Sequence, residues 1–206
     1  MSLHIRLTTF TAGLHTAPKP TTTPVWINQA QEYFENGMEF EDSGEHDQAI
    51  DAFSEAILLN PEQADYYYER GVNFSWIGDE DSAVTDYSKA IQLDPNQAEY
   101  YYERGKSYHR KGNYDRAVAD QTKAIHLNPE KAEYYQQRGA SHFNNQDYNQ
   151  AIADFATAIQ LAPNQAEYYW DRGDGYHMKG NYDQAIADYN QAIQLNPNQA
   201  DYYYSR

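Results

Sequence analysis

A proline recurs at a fixed interval: Pro61, Pro95, Pro129, Pro163 and Pro197 stand 34 residues apart. Gly37, Gly71, Gly105, Gly139 and Gly173 keep the same step, as do Ala49, Ala83, Ala117, Ala151 and Ala185. A strict period of this length, punctuated by small residues and a proline, restricts a chain to a stack of identical small units, each burying its apolar face on the next. The copies are 30–63, 64–97, 98–131, 132–165 and 166–199, with 200–206 beginning another. Positions are numbered below from the first alanine of each copy.

Within a copy the spacing is helical. Tyr101, Gly105 and Tyr108 fall at i, i+4, i+7, and Tyr114, Ala117, Val118, Gln121, Ala124, Ile125 and Leu127 form a second stripe. These patterns predict helices over positions 2–14 and 17–30. A glycine such as Gly112 between them ends the first helix in the left-handed conformation. The Asn or Asp that follows caps the second, with capping-box spacing in Asp147/Gln150 and Asn181/Gln184. The residue before each proline is pushed out of the helical region and stops the second helix. Asn96/Glu99 and Asn164/Glu167 then cap the next first helix. Gly at position 8 should meet the side chain at position 24. Gln146 replaces the turn glycine in the fourth copy, so that hairpin is expected to be the least regular.

These residues resemble the tetratricopeptide repeat pattern: a large aromatic at 4, Gly at 8, aromatics at 11 and 24, Ala at 20 and 27, Pro at 32. The copy at 64–97 supplies Tyr67, Gly71, Phe74, Ala83, Tyr87, Ala90 and Pro95. Gln121 at position 24 and His142 at position 11 depart from it. The resemblance implies an all-α fold of five antiparallel helix hairpins, stacked into a right-handed α-superhelix over 24–206. It also implies an interaction scaffold and not an enzyme. A targeting arm of a longer enzyme or signalling protein is the alternative, because the copy at 200–206 stops short. An unfinished helix carrying Tyr202, Tyr203 and Tyr204 further predicts self-association through that end.

In this family the first helices line a concave groove through positions 2, 5, 6, 9, 12 and 13. Carried over, position 2 gives Asp65, Glu99, Glu133 and Glu167. Position 6 gives Glu69, Glu103 and Asp171, and position 5 gives Tyr68, Tyr102 and Trp170. Trp76, His109, Phe143 and His177 come from positions 12 and 13. Acids interleaved with aromatics predict a partner segment with basic and aromatic residues. For position 2 the open alternative is an acid that only complements the helix N-terminus. A clamp for a C-terminal carboxylate, as in the family's co-chaperone members, does not fit so acidic a lining, where Lys106 and Arg110 are exceptions.

Arg70, Arg104, Arg138 and Arg172 occupy position 7, and Asp86, Asp120, Asp154 and Asp188 occupy position 23. The first copy has Asn36 and Ala52 instead. Antiparallel packing brings 7 near 23, so an Arg–Asp pair is expected between the two helices of each of these four hairpins, with an aspartate of the adjacent hairpin as the alternative partner. The guanidinium is expected to lie on the position-3 tyrosine.

Residues 1–23 contain no acid and are rich in threonine, unlike the remainder. They read as a flexible leader, with a targeting peptide as the alternative. Thr23-Pro24 fits a helix start, with Val25 and Trp26 covering the open end of the stack. A net charge of −16 disfavours nucleic acid and anionic membrane surfaces. No cysteine is present, which excludes a thiolate metal site and is compatible with a cytoplasmic, reducing setting. Histidines two copies apart are too distant to share one ion, and Asn73-Phe74-Ser75 is a glycosylation match only by chance, since Phe74 lies in a core stripe. The sequence shows no metal, cofactor or catalytic motif.

Overall fold

The computed structural model describes residues 25–198, and they form ten helices with no strand among them. The helices are α1 (Val25–Asp42), α2 (His46–Leu59), α3 (Ala64–Trp76), α4 (Glu80–Leu93) and α5 (Ala98–Arg110). They continue as α6 (Tyr114–Leu127), α7 (Ala132–Asn144), α8 (Tyr148–Leu161), α9 (Ala166–Met178) and α10 (Tyr182–Leu195). Each odd helix packs on the even helix that follows it, and each even helix packs on the next odd one. The first helices also touch one another, α3 on α5, α5 on α7 and α7 on α9, so they share one side of the stack. The leader at 1–23, Pro24 and the short copy at 200–206, including the proposed self-association end, lie outside the described residues.

Small residues set the helix spacing within a hairpin. The alanines at positions 20 and 27, from Ala49 and Ala56 to Ala185 and Ala192, are fully buried. A Cβ on Gly71 would sit 2.9 Å from the Tyr87 ring, and one on Gly139 would sit 2.6 Å from Phe155. Position 8 therefore has to be glycine for the aromatic at 24 to lie flat on the first helix. In the third hairpin the same place is taken by Gln121, whose Cγ is 3.1 Å from the equivalent point on Gly105.

The turn between helices is a Schellman arrangement. Gly112 adopts φ +73°, and the Asn113 N–H donates back to the Tyr108 carbonyl at 2.9 Å. Gln146 takes φ +66° in the fourth turn, and Asp147 N–H reaches the His142 carbonyl at 2.8 Å. The expected irregularity is thus confined to one strained residue: α7 and α8 have the same 13 and 14 residues as their counterparts.

The capping boxes do not form. Asp147 and Asn181 make no side-chain cap bond, and among the described N-cap residues only Asp79 caps its helix, accepting from Ser82 N–H. Ahead of α5 and α9 the N-cap residues are Gln97 and Gln165, in extended conformation and without a side-chain bond. The helix begins one residue later than the Asn96/Glu99 spacing suggests, which moves Glu99 from N3 to N2 and out of capping reach. Trp26 is 47% exposed and does not close the end of the stack; the Val25 side chain lies outside the described residues.

Candidate interaction surface of the first helices

Tyrosines dominate the contacts between successive first helices. The position-5 aromatic of one hairpin packs on the position-3 tyrosine of the next: Phe34 on Tyr66 at 4.9 Å, Tyr68 on Tyr100 at 5.0 Å, Tyr102 on Tyr134 at 4.7 Å between ring centroids. The hydroxyl of that same tyrosine donates to position 2 of the preceding hairpin. Tyr100 reaches Asp65 at 2.6 Å, and Tyr134 reaches Glu99. Asp65 and Glu99 are therefore engaged in joining hairpins, a use that neither the groove reading nor the helix-terminus reading of position 2 anticipated. Glu133 and Glu167 are exposed.

Position 6 is more enclosed. Glu69 is half-buried, and burial pushes its carboxyl up to about 7, with Glu41 and Asp65 adding repulsion. Asp171 is also pushed up to about 7 by burial. A hydrogen bond donated by Gln136 at 2.9 Å opposes that shift, while Glu167 and Asp174 add to it. Glu103 pairs with Lys106 at 2.9 Å, and the ammonium lies 5.1 Å from the centre of the Tyr102 ring.

The remaining groove candidates divide by exposure. Trp76 is 69% exposed and stacks on His46 at 5.4 Å with 5° between planes. Trp170 is half-buried. His109 shares a hydrogen bond with Ser141 Oγ at 2.9 Å and meets the Tyr114 ring edge-on. Burial, and then Arg110, hold its pKa below the ordinary value. Phe143 meets Tyr148 in the same edge-on way, and the exposed His177 lies beside Tyr182.

A cavity of about 300 Å³ opens between α3, α4 and α5, lined by Tyr68, Val72, Ser75, Trp76, Tyr87, Glu103, Lys106 and Arg110. Arg110, noted in the sequence as a basic exception in an acidic lining, bridges Ser75 and Glu80 across the hairpin boundary. Both cations of this cavity are already held by carboxylates of the chain. Among the described residues no group of three or more His, Asp or Glu side chains is placed to hold a metal ion. No described helix is long and apolar enough to cross a membrane.

The position-7 arginines lie away from this surface. Arg70 Nε and Nη2 donate to both Asp86 oxygens at 2.7 and 2.9 Å, and Arg104 to Asp120 at 2.7 and 2.8 Å. Arg138 with Asp154 and Arg172 with Asp188 repeat the fork. The third nitrogen reaches back one hairpin, Arg70 Nη1 to Ser54, Arg104 to Ser88 and Arg138 to Thr122, at 2.9 to 3.1 Å. For Arg172 the same place holds Ala156, which has no hydroxyl. The guanidinium lies over the position-4 tyrosine, not the position-3 one: Tyr67, Tyr101, Tyr135 and Tyr169, each 5.8 to 5.9 Å from the ring centre. Position 3 faces the neighbouring hairpin, and position 4 is the residue one turn before the arginine on its own face.

Family models described as tetratricopeptide or TPR repeat match residues 34–72, 77–112, 98–131, 139–180 and 173–206. No curated protein sequence matches the chain. Among solved structures, a crystal structure of MamA is 24% identical with a TM-score of 0.78, covering 85% of this chain and 96% of that one. MamA from Desulfovibrio magneticus RS-1 is 20% identical with a TM-score of 0.80, covering 84% and 98%. YrrB, described as a TPR protein with an unusual peptide-binding site, is 19% identical with a TM-score of 0.76, covering 88% and 97%. At these identities the likeness is one of fold. With the repeat models matched along most of its length, and helix hairpins stacked on a glycine–aromatic seam, the chain belongs to the tetratricopeptide repeat family.

Proposed function

We propose that the chain is a protein-interaction scaffold, and that the side formed by α3, α5, α7 and α9 holds a basic, aromatic-containing segment of a partner. Family membership supports the scaffold role. The peptide-binding site described for YrrB supports a peptide as the kind of ligand. The observation that carries the reading is the state of Glu69 and Asp171. Both are carboxyls at position 6 whose charge is opposed by burial and by neighbouring acids. A cation on a bound segment would relieve that opposition, and the surrounding tyrosines offer ring faces for aromatic side chains. Lys106 and Arg110 do not offset the acids, because Glu103 and Glu80 already hold them.

Two peptides of equal length, one Lys/Tyr-rich and one Glu/Tyr-rich, test this by fluorescence anisotropy. The basic peptide is expected to bind more tightly, and added salt should weaken it. Changing Glu69 and Glu103 to Lys should weaken it about tenfold, mainly in association rate. Binding of the cation favours the ionised carboxyls, so affinity should rise from pH 6 to pH 8, through the value of about 7 held by Glu69 and Asp171. Tighter binding of the acidic peptide would overturn the reading.

A further inference from the structure

The first hairpin differs from the others at the arginine position, and the difference leaves a formed slot that none of the described residues fills. In the second hairpin the Arg70 guanidinium lies 5.9 Å from the Tyr67 ring centre and 5.8 Å from Phe74. In the third, Arg104 lies at 5.9 and 6.0 Å from Tyr101 and Tyr108. A lysine from the second helix joins the same tyrosine, Lys89 over Tyr67 and Lys123 over Tyr101. Each of these rings thus faces two cations.

The first hairpin keeps the two aromatics as Tyr33 and Phe40 but has Asn36 where the arginine stands. Ala52 takes the place of its aspartate. Glu55 replaces the lysine, and Asp51, one residue before Ala52, is also acidic where other hairpins carry Thr85, Ala119, Ala153 and Ala187. Asp51 and Glu55 are exposed and, being four apart on α2, share one face. A cavity of about 490 Å³ lies between these residues of α1 and α2. The same two rings that hold a cation elsewhere here border open space, and the charge around them has changed sign.

We propose that this slot takes an arginine side chain from an extended segment of a partner protein. Its guanidinium would lie between Tyr33 and Phe40, where Arg70 lies in the next hairpin, with Asp51 and Glu55 as its counter-charges. Arginine fits better than lysine because a planar guanidinium can stack on both rings and still present donors to a carboxylate. The site shares no residue with the first-helix groove and stands or falls independently of it.

The test uses the full chain and the peptide acetyl-Gly-Arg-Gly-amide, with lysine and citrulline versions, followed by NMR at Tyr33, Phe40 and Ala52. Saturable shifts at these residues are expected with the arginine peptide, about fivefold weaker binding with lysine, and none with citrulline. Asn36→Arg supplies the missing side chain from within and should abolish the shifts. Glu55→Lys, an exposed change that leaves packing intact, should abolish them as well. Equal binding of the arginine and citrulline peptides, or shifts that survive both variants, would overturn the proposal. The leader at 1–23 carries its own arginine, Arg6; binding that emerges only after Arg6→Gln would also overturn the proposal, because the occupant would then be the chain itself.

Discussion

Gln121 buries both atoms of its amide against Gly105, where the other hairpins place a tyrosine or phenylalanine, and neither atom has a hydrogen-bond partner among the described residues. A buried amide without partners costs about 1 to 3 kcal/mol. Gln121→Phe restores the ring that Phe53 and Phe155 supply elsewhere and removes that cost. Urea unfolding should show the variant more stable by about 1 to 2 kcal/mol. Phenylalanine is chosen over tyrosine because position 9 here is Lys106, whereas the Tyr189 hydroxyl donates to Asp174 at that position. Glu69 makes a second residue-scale case. Its folded-state pKa of about 7 stands above the ordinary 4.5, so in that window the folded chain holds a proton the unfolded chain has lost. Stability contributed by this group is present at low pH and falls as pH rises from about 4.5 to about 7. Glu69→Gln removes the dependence. The gain of the variant over wild type should be larger at pH 8 than at pH 5.5, measured by urea midpoints, and an equal gain at both would count against the burial of this carboxyl.

At the scale of one hairpin, the Arg–Asp fork and the glycine seam hold two helices at a fixed angle. Aspartates at position 23 are buried, and each arginine keeps roughly a fifth of its side chain exposed. Removing one partner strands the other charge, so Arg104→Leu and Asp120→Ala should each cost about 3 kcal/mol. The double variant should cost clearly less than the sum. A double-mutant cycle read by thermal unfolding measures the coupling, and strict additivity would show that the fork contributes nothing as a pair. The glycine seam makes a graded prediction of the same kind. Gly139→Ala meets the Phe155 ring at 2.6 Å, while Gly105→Ala meets the flexible Gln121 side chain at 3.1 Å. Gly139→Ala should therefore lower the melting temperature more than Gly105→Ala does.

Across the whole molecule, the hairpins are coupled by polar contacts as well as by packing. Arg70, Arg104 and Arg138 each grip the preceding hairpin through a serine or threonine at position 25. Tyr100 and Tyr134 do so through their hydroxyls. In a linear array stability is a sum of unit and interface contributions, so weakening an interface loosens cooperativity. Tyr100→Phe together with Tyr134→Phe removes both hydroxyl links around α5 and α7 while keeping the rings. Hydrogen exchange should then show α1–α4 and α7–α10 opening with different free energies, where the wild type opens more nearly as one unit.

The sequence alone determined the helices, their pairing and the seam between them. Each follows from spacing along one chain: the proline stops, the glycine turns and the alanine positions repeat in register, and a 34-residue unit that cannot bury its own face must stack. The approach of Arg104 to Asp120 was legible for the same reason, because position 7 opposite position 23 follows from antiparallel packing within one hairpin. What crosses from one hairpin to the next was not legible. Whether Asp65 points into a groove or accepts a hydroxyl from Tyr100 depends on the rotation between neighbouring hairpins, which no spacing within a repeat encodes. The same rotation decides that Arg104 reaches Ser88, that Arg110 reaches Glu80, and that burial and Glu41 crowd Glu69. The N-cap of α5 at Gln97, one residue past Asn96, belongs here too, since packing against α4 outweighs a cap worth about 1 kcal/mol. Local periodicity encodes the unit, and the angle between units, set by side chains from two hairpins at once, decides the surface that meets a partner.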